Sequence, residues 1–289
     1  MHLRAHNLAF CLALSLGIVL PAQTTSTLPP GVVLWKGGMP PDGLKGKADF
    51  GDHTLGIYVH DGAPGTPESH DAKDDIFLIQ SGSSDFRVGG TGVSMRSTGS
   101  GEKLGTDISG ATTIHLVKGD VITIPAGMVH QYLTKPGEKI TYLVIRRVKQ
   151  EDTVPPQPQM EGMPVGVIHW PNGTPPEGLQ HKANFGDHIL YGYHREKSGA
   201  IEFHETQDDV FVVEKGEADF LVGGTGVGMR VSGKGEQQGT SIDGATRVHL
   251  TNGDVITIPA NMPHQFVLTS GQQLDYFIIK IVKSQPQNP

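Results

Sequence analysis

The chain is written twice. WKGGMPPDGL at 35–44 becomes WPNGTPPEGL at 170–179, ADFGDHTL at 48–55 becomes ANFGDHIL at 183–190, and GDVITIPAGMVHQ at 119–131 becomes GDVITIPANMPHQ at 253–265. Between Glu68 and Gln131 the copies align without a gap, Glu68 falling on Glu202 and His130 on His264, and well over half of the positions are identical. Such a period is too long for a solenoid unit, so each copy is expected to be a domain with its own core, at 30–150 and 165–285. Between them 151–164, EDTVPPQPQMEGMP, has the prolines and acids of an extended linker.

Within each copy, few stretches keep a helical period for three turns. Short Val/Ile/Thr/Phe runs closed by glycine recur instead, as in VITIP, FVVEKG and YFIIKIV, and 39 glycines with 20 prolines supply many turns. Strands this short, with no room for crossover helices, must pair antiparallel. The fold class expected is all-β, two tandem antiparallel jelly-roll barrels.

The first residues, MHLRAHNLAFCLALSLGIVLPAQ, place Arg4 ahead of an apolar run and a small-residue site near Ala22, the pattern of a secretory signal peptide at 1–22. The run is shorter than the ~20 residues that span a bilayer. A secreted or periplasmic protein is expected, with no membrane association once the signal is cleaved. The only cysteine, Cys11, lies inside this segment, so the mature protein would have no disulfide and no thiolate ligand. The formal net charge of −7, without a Lys/Arg cluster, argues against nucleic acid as a partner.

In a strand, residues i and i+2 share a face, so Glu68 and His70, like Glu202 and His204, point the same way. If that face is a barrel interior, Glu68, His70, Asp75 and His130 can converge, and Glu202, His204, Asp209 and His264 repeat them. Carboxylate oxygen with imidazole nitrogen suits a divalent transition metal: Fe, Mn, Ni, Co or Zn. Burying such carboxylates without an ion or a hydrogen bond would be costly.

These positions resemble the cupin superfamily, whose first motif runs G-x5-H-x-H-x3,4-E-x6-G and whose second runs G-x5-P-x-G-x2-H. Gly119, Pro125, Gly127 and His130 meet the second motif, as do Gly253, Pro259 and His264, with Asn261 in place of the last glycine. In the first motif His70 and His204 fall at the second histidine, Asp75 and Asp209 at the glutamate, and Gly82 and Gly216 at the closing glycine. Glu68 and Glu202 stand where the first histidine belongs. The resemblance covers nearly all of the mature chain and implies a bicupin of the oxalate decarboxylase or quercetinase type of architecture. It also implies metal sites at Glu68, His70, Asp75, His130, Glu202, His204, Asp209 and His264. Two His with two carboxylates around a divalent ion make a neutral centre, whereas three His and one Glu leave a positive one. An alternative arrangement has His70, Asp75 and His130 as the ligand triad and Glu68, with Glu202 in the second copy, as the catalytic base.

Other features are secondary. Asp74 and Asp208 rival their neighbours as ligands. His115 and His249, one strand before the second motif, are read as hydrogen-bonded structural residues rather than cavity groups, and His53 and His188 as turn residues. The GGTG segments lack a following helix or P-loop lysine, so they are read as mobile flaps over the barrel mouth or as dimer contacts. Trp35 and Trp170 are read as packing anchors. The function expected is a metal-dependent, dioxygenase-like enzyme acting on a small organic substrate; the alternative is a non-catalytic small-molecule-binding or storage module. A homo-oligomer is left open.

Overall fold

Each copy is organised by one long strand, Lys73–Val88 in the first and Gln207–Val222 in the second. The first half of each, DDIFLI and DDVFVV, is buried at every position, as a strand covered on both faces must be. The second half alternates in and out. Between the halves the pairing slips by one residue, past Gln80 in the first copy and Glu214 in the second. Gly82 and Gly216 follow two residues later, both at positive φ. A Cβ at Gly82 would lie 1.8 Å from the Lys139 carbonyl oxygen, so the close approach of the paired strand there requires glycine.

The computed structural model describes residues 27–41, 46–149, 160–174 and 182–283; the expected signal peptide and most of the linker lie outside them. In the first copy, neighbouring strands run in the order Lys47–Asp49, His53–Asp61, Lys139–Val148, Lys73–Val88, His130–Tyr132, Glu68–His70, Glu102–Leu104 and Arg96–Gly99, and the second copy repeats this order. Thr112–Val117 and Val121–Ile124 also pair with the long strand, every pairing being antiparallel. The chain is thus an all-β tandem jelly roll with the bicupin architecture.

The copies exchange their leading arms. Val33–Trp35 pairs with Val255–Thr257 of the second copy, and Ile168–Trp170 with Val121–Thr123 of the first. Each arm carries a tryptophan with no exposed surface, and both indoles lie in one apolar cluster shared by the two copies. Each copy keeps a second cluster of its own. Arg147 crosses the same junction, donating to the carbonyl oxygens of Asp52 (2.7 Å) and Val282 (2.7 Å). His53 and His188 open strands at this junction rather than sitting in turns; each is fully buried, bonded to the preceding aspartate at 2.8 Å and stacked on Phe50 or Phe185.

The GGTG segments are regular β-structure. In the first copy Thr91–Val93 pairs with Asp107–Ser109, while Glu102–Leu104 joins the barrel by pairing with Glu68–His70. The insertion thereby builds the rim beside the strand that carries Glu68 and His70.

Candidate metal centre in the first barrel

Three strands bring the four first-copy residues together. Glu68 and His70 come from their short strand, Asp75 from the long strand, and His130 from His130–Tyr132, which lies directly across from Glu68. His130 Nε2 is 3.4 Å from Glu68 Oε1 and 3.5 Å from Asp75 Oδ2, and His70 Nε2 is 3.4 Å from the same Asp75 oxygen. None of these contacts has hydrogen-bond geometry, so both Nε2 atoms are buried without a partner. His130 Nδ1 donates to the Met128 carbonyl at 3.1 Å, which turns the Nε2 lone pair toward the carboxylates. That is the tautomer of a metal-bound imidazole. One donor atom each from Glu68, His70 and His130 fall within 4.8 Å of one another. Two histidines and a carboxylate, with orphaned nitrogens facing inward, fit a divalent transition metal.

Arg146 is the residue that sequence reading missed. It faces Asp75 across the pair formed by Lys139–Val148 and the long strand, where its Nε donates to Asp75 Oδ1 at 3.0 Å and its Nη2 lies 3.8 Å from Glu68 Oε1. Burial pushes the Glu68 carboxyl up, but His130, Arg146 and His70 outweigh it and hold it at about 2. For His130, burial works downward and the two carboxylates reverse it, raising the imidazole. The signal for Arg146 was its cross-strand register with Asp75, which local patterning does not reveal.

In the second barrel Glu202, His204, Asp209 and His264 converge in the same way, but Lys280 stands at the position of Arg146. Its Nζ is 2.6 Å from His204 Nε2 and 3.2 Å from Asp209 Oδ1. The nitrogen that would bind a metal therefore already faces an ammonium. Burial raises Asp209, but Lys280, followed by the two histidines, brings it down to about 2. Glu202 stands farther from His264, at 3.8 Å, and burial leaves His264 below the usual imidazole range.

The mouths differ too. A cavity of about 290 Å³ reaches Glu68 and His130 in the first barrel, between His60, Glu102 and Tyr132. His60 Nε2 lies 3.2 Å from the Tyr142 hydroxyl, and burial lowers its pKa. At the corresponding place the second copy has Arg195, whose Nε donates to the Tyr276 hydroxyl at 2.6 Å and whose guanidinium lies over Phe266 and Tyr276.

The rival residues lie elsewhere. Asp74 and Asp208 accept the backbone N–H groups of Ala126 and Ala260. His115 and His249 are exposed and paired with Asp85 and Asp219, at 2.8 and 3.0 Å, so they do not line the cavity.

No protein-family model matches the sequence, and no curated protein matches it. Among solved structures the chain is similar to an 11S globulin from Wrightia tinctoria, described as revealing an auxin binding site: 12% identity, 80% of this chain and 76% of that chain covered, TM-score 0.49. It is similar to a vicilin from Solanum melongena, described as holding different anionic ligands in structurally similar pockets: 13% identity, 82% and 79% covered, TM-score 0.43. An oxalate decarboxylase is similar at 11% identity, 81% and 70% covered, TM-score 0.44.

Proposed function

We propose that the first barrel of this bicupin-fold chain is a divalent transition-metal site serving a small organic molecule, and that the second barrel is a structural copy that binds no metal. The observation that carries this reading is the pair of buried Nε2 atoms, on His70 and His130, that make no hydrogen bond and face Glu68 and Asp75 at 3.4 Å. In the reading, Glu68, His70 and His130 hold the ion, and Asp75 supports it from the arm that Arg146 leaves free. When bound, such an ion supplies Lewis acidity and, for Fe or Mn, redox chemistry of the dioxygenase kind.

The chain's own groups then divide the work. A carboxylate held at about 2 is a poor proton acceptor near neutral pH, so Glu68 suits a ligand role better than that of a general base. His60, at the mouth and pushed toward its neutral form by burial, is the group placed to take a proton from a hydroxyl or similar donor entering the cavity. The cavity, of about 290 Å³, has the size for a small molecule. The protein is proposed to work outside the cytoplasm, as its leading segment suggests.

A second reading, a metal-free binding module, is favoured by one observation: Arg146 already supplies a positive charge to Asp75 and Glu68. Elemental analysis of the untagged mature protein separates the two. About one equivalent of a transition metal, lost in His130→Ala and kept in His264→Ala, is expected; less than about a tenth of an equivalent after reconstitution would leave only the binding module.

A further inference from the structure

A cleft lies where the arm of the second copy crosses onto the first. Its volume is about 760 Å³, and its walls include Tyr191, Tyr193, Phe277, Lys182 and Asn172, with Glu214 among them. The size is that of a small-molecule site. Glu214 is the half-buried residue at which the long strand's pairing slips, directly after its buried half, and its carboxylate makes no hydrogen bond or ion pair among the described residues. Burial raises its pKa to about 7, and Lys118 acts on it only from beyond pairing distance.

The first copy shows what this place looks like without a cleft of this kind. Gln80 stands where the second copy has Glu214, Ile57 where it has Gly192, and Leu143 where it has Phe277. One change brings a negative charge, one removes a side chain, and one adds an aromatic ring, all in one wall. Packing does not require Gly192: a Cβ there would meet Phe277 at 3.7 Å and Trp170 at 3.8 Å, ordinary contact distances. The glycine leaves space rather than relieving a clash. Tyr191 and Tyr193 stack at 5.7 Å beside that space, and Tyr193 stacks on Tyr276 at 5.5 Å.

We infer that this cleft is a binding site for an organic cation, a protonated amine carrying an aromatic or apolar body. An ammonium would form the charge-assisted hydrogen bonds that Glu214 lacks, and its body would lie on the ring faces, which attract cations. The basic groups in the wall are mostly engaged: Lys182 Nζ lies 5.2 Å from the Tyr191 ring centre, and His194 is bonded to Asp275 at 2.5 Å. Lys215 is exposed at the rim. Asp275 is taken by His194, so Glu214 is the carboxylate of the wall left for a ligand. The inference is independent of the metal reading, since none of these residues touches the barrel-one site.

The test uses the full chain and three probes of one shape, benzylamine, benzyl alcohol and benzoate, followed by ligand-observed NMR. Benzylamine is expected to bind about tenfold or more tightly than benzyl alcohol, with benzoate weakest. Glu214→Gln, which installs the residue of the first copy, should reduce benzylamine binding to the level of the alcohol, and Gly192→Ile should block all three. Both variants should keep the far-ultraviolet spectrum and metal content of the parent. Equal binding of benzoate and benzylamine, unchanged binding in Glu214→Gln, or no binding of benzylamine up to about 10 mM would overturn the inference.

Discussion

The two barrels share a motif and differ in the cation that faces it. In the first, Arg146 takes the far oxygen of Asp75 and leaves both histidine Nε2 atoms free; in the second, Lys280 reaches past Asp209 to His204. A guanidinium on a planar, branched head stays with the carboxylates it matches. A slender ammonium is a point charge that follows the deepest lone pair available. One substitution at one cross-strand position therefore separates a centre with room for an ion from one that contains its own cation. The mouths follow the same division, His60 leaving a cavity and Arg195 lying over Phe266 and Tyr276.

The widest difference between the barrels should appear when each central aspartate is removed. Asp209→Ala leaves the Lys280 ammonium buried without its carboxylate, which typically costs about 3–5 kcal/mol. Asp75→Ala should cost about 1–3 kcal/mol, because the side chain of Arg146 is 18% exposed against 10% for Lys280 and keeps Glu68 nearby. Urea unfolding of the two variants checks this; equal losses would erase the distinction between the cations.

A smaller effect separates Glu214 from Gln80. The folded carboxyl of Glu214 sits at about 7, above its ordinary 4.5, so the native state binds its proton more tightly than the unfolded state does. The stability this contributes is complete below pH ~4.5 and is lost as pH rises through about 7, amounting to at most about 3 kcal/mol because the side chain keeps some exposure. Glu214→Gln should flatten that part of the profile between pH 5 and pH 8. An unchanged slope would mean that the carboxyl is not held in this environment.

The smallest difference is at the rim. Lys103 pairs with Asp71 at 2.7 Å with both side chains more than two-fifths exposed, whereas the second copy has Gln237 donating to Glu205 at 2.7 Å. Lys103→Gln should change stability by less than about 1 kcal/mol and remove a little of its salt dependence. A larger loss would make this rim pair a structural element.

Much of this was legible in the sequence. The duplication marked two barrels, and the spacing from His70 through Asp75 to Gly82 singled out residues that the structure brings together with Glu68 and His130. The two tryptophans act as the packing anchors expected of them. What was not legible depends on pairings between distant segments. Arg146 and Lys280 matter because their strand lies opposite Asp75 and Asp209, and no local periodicity fixes that register. The exchanged arms are the same kind of case: VLW and IHW look like the first strands of their own copies, yet the apolar surface that receives each tryptophan belongs to both copies together. His53 and His188 followed the turn pattern FGDH while their burial came from the junction, which neither copy encodes alone.

In the proposed reading, Lys280 keeps the second barrel free of metal while the first accepts it. Metal equivalents bound by the parent and by Lys280→Met, each stripped and then reconstituted with the same divalent ion, test it directly. About one equivalent is expected in the parent and about two in the variant, the added one lost again in Lys280→Met with His264→Ala. Two equivalents in the parent, or one in both proteins with Lys280→Met folded, would contradict it.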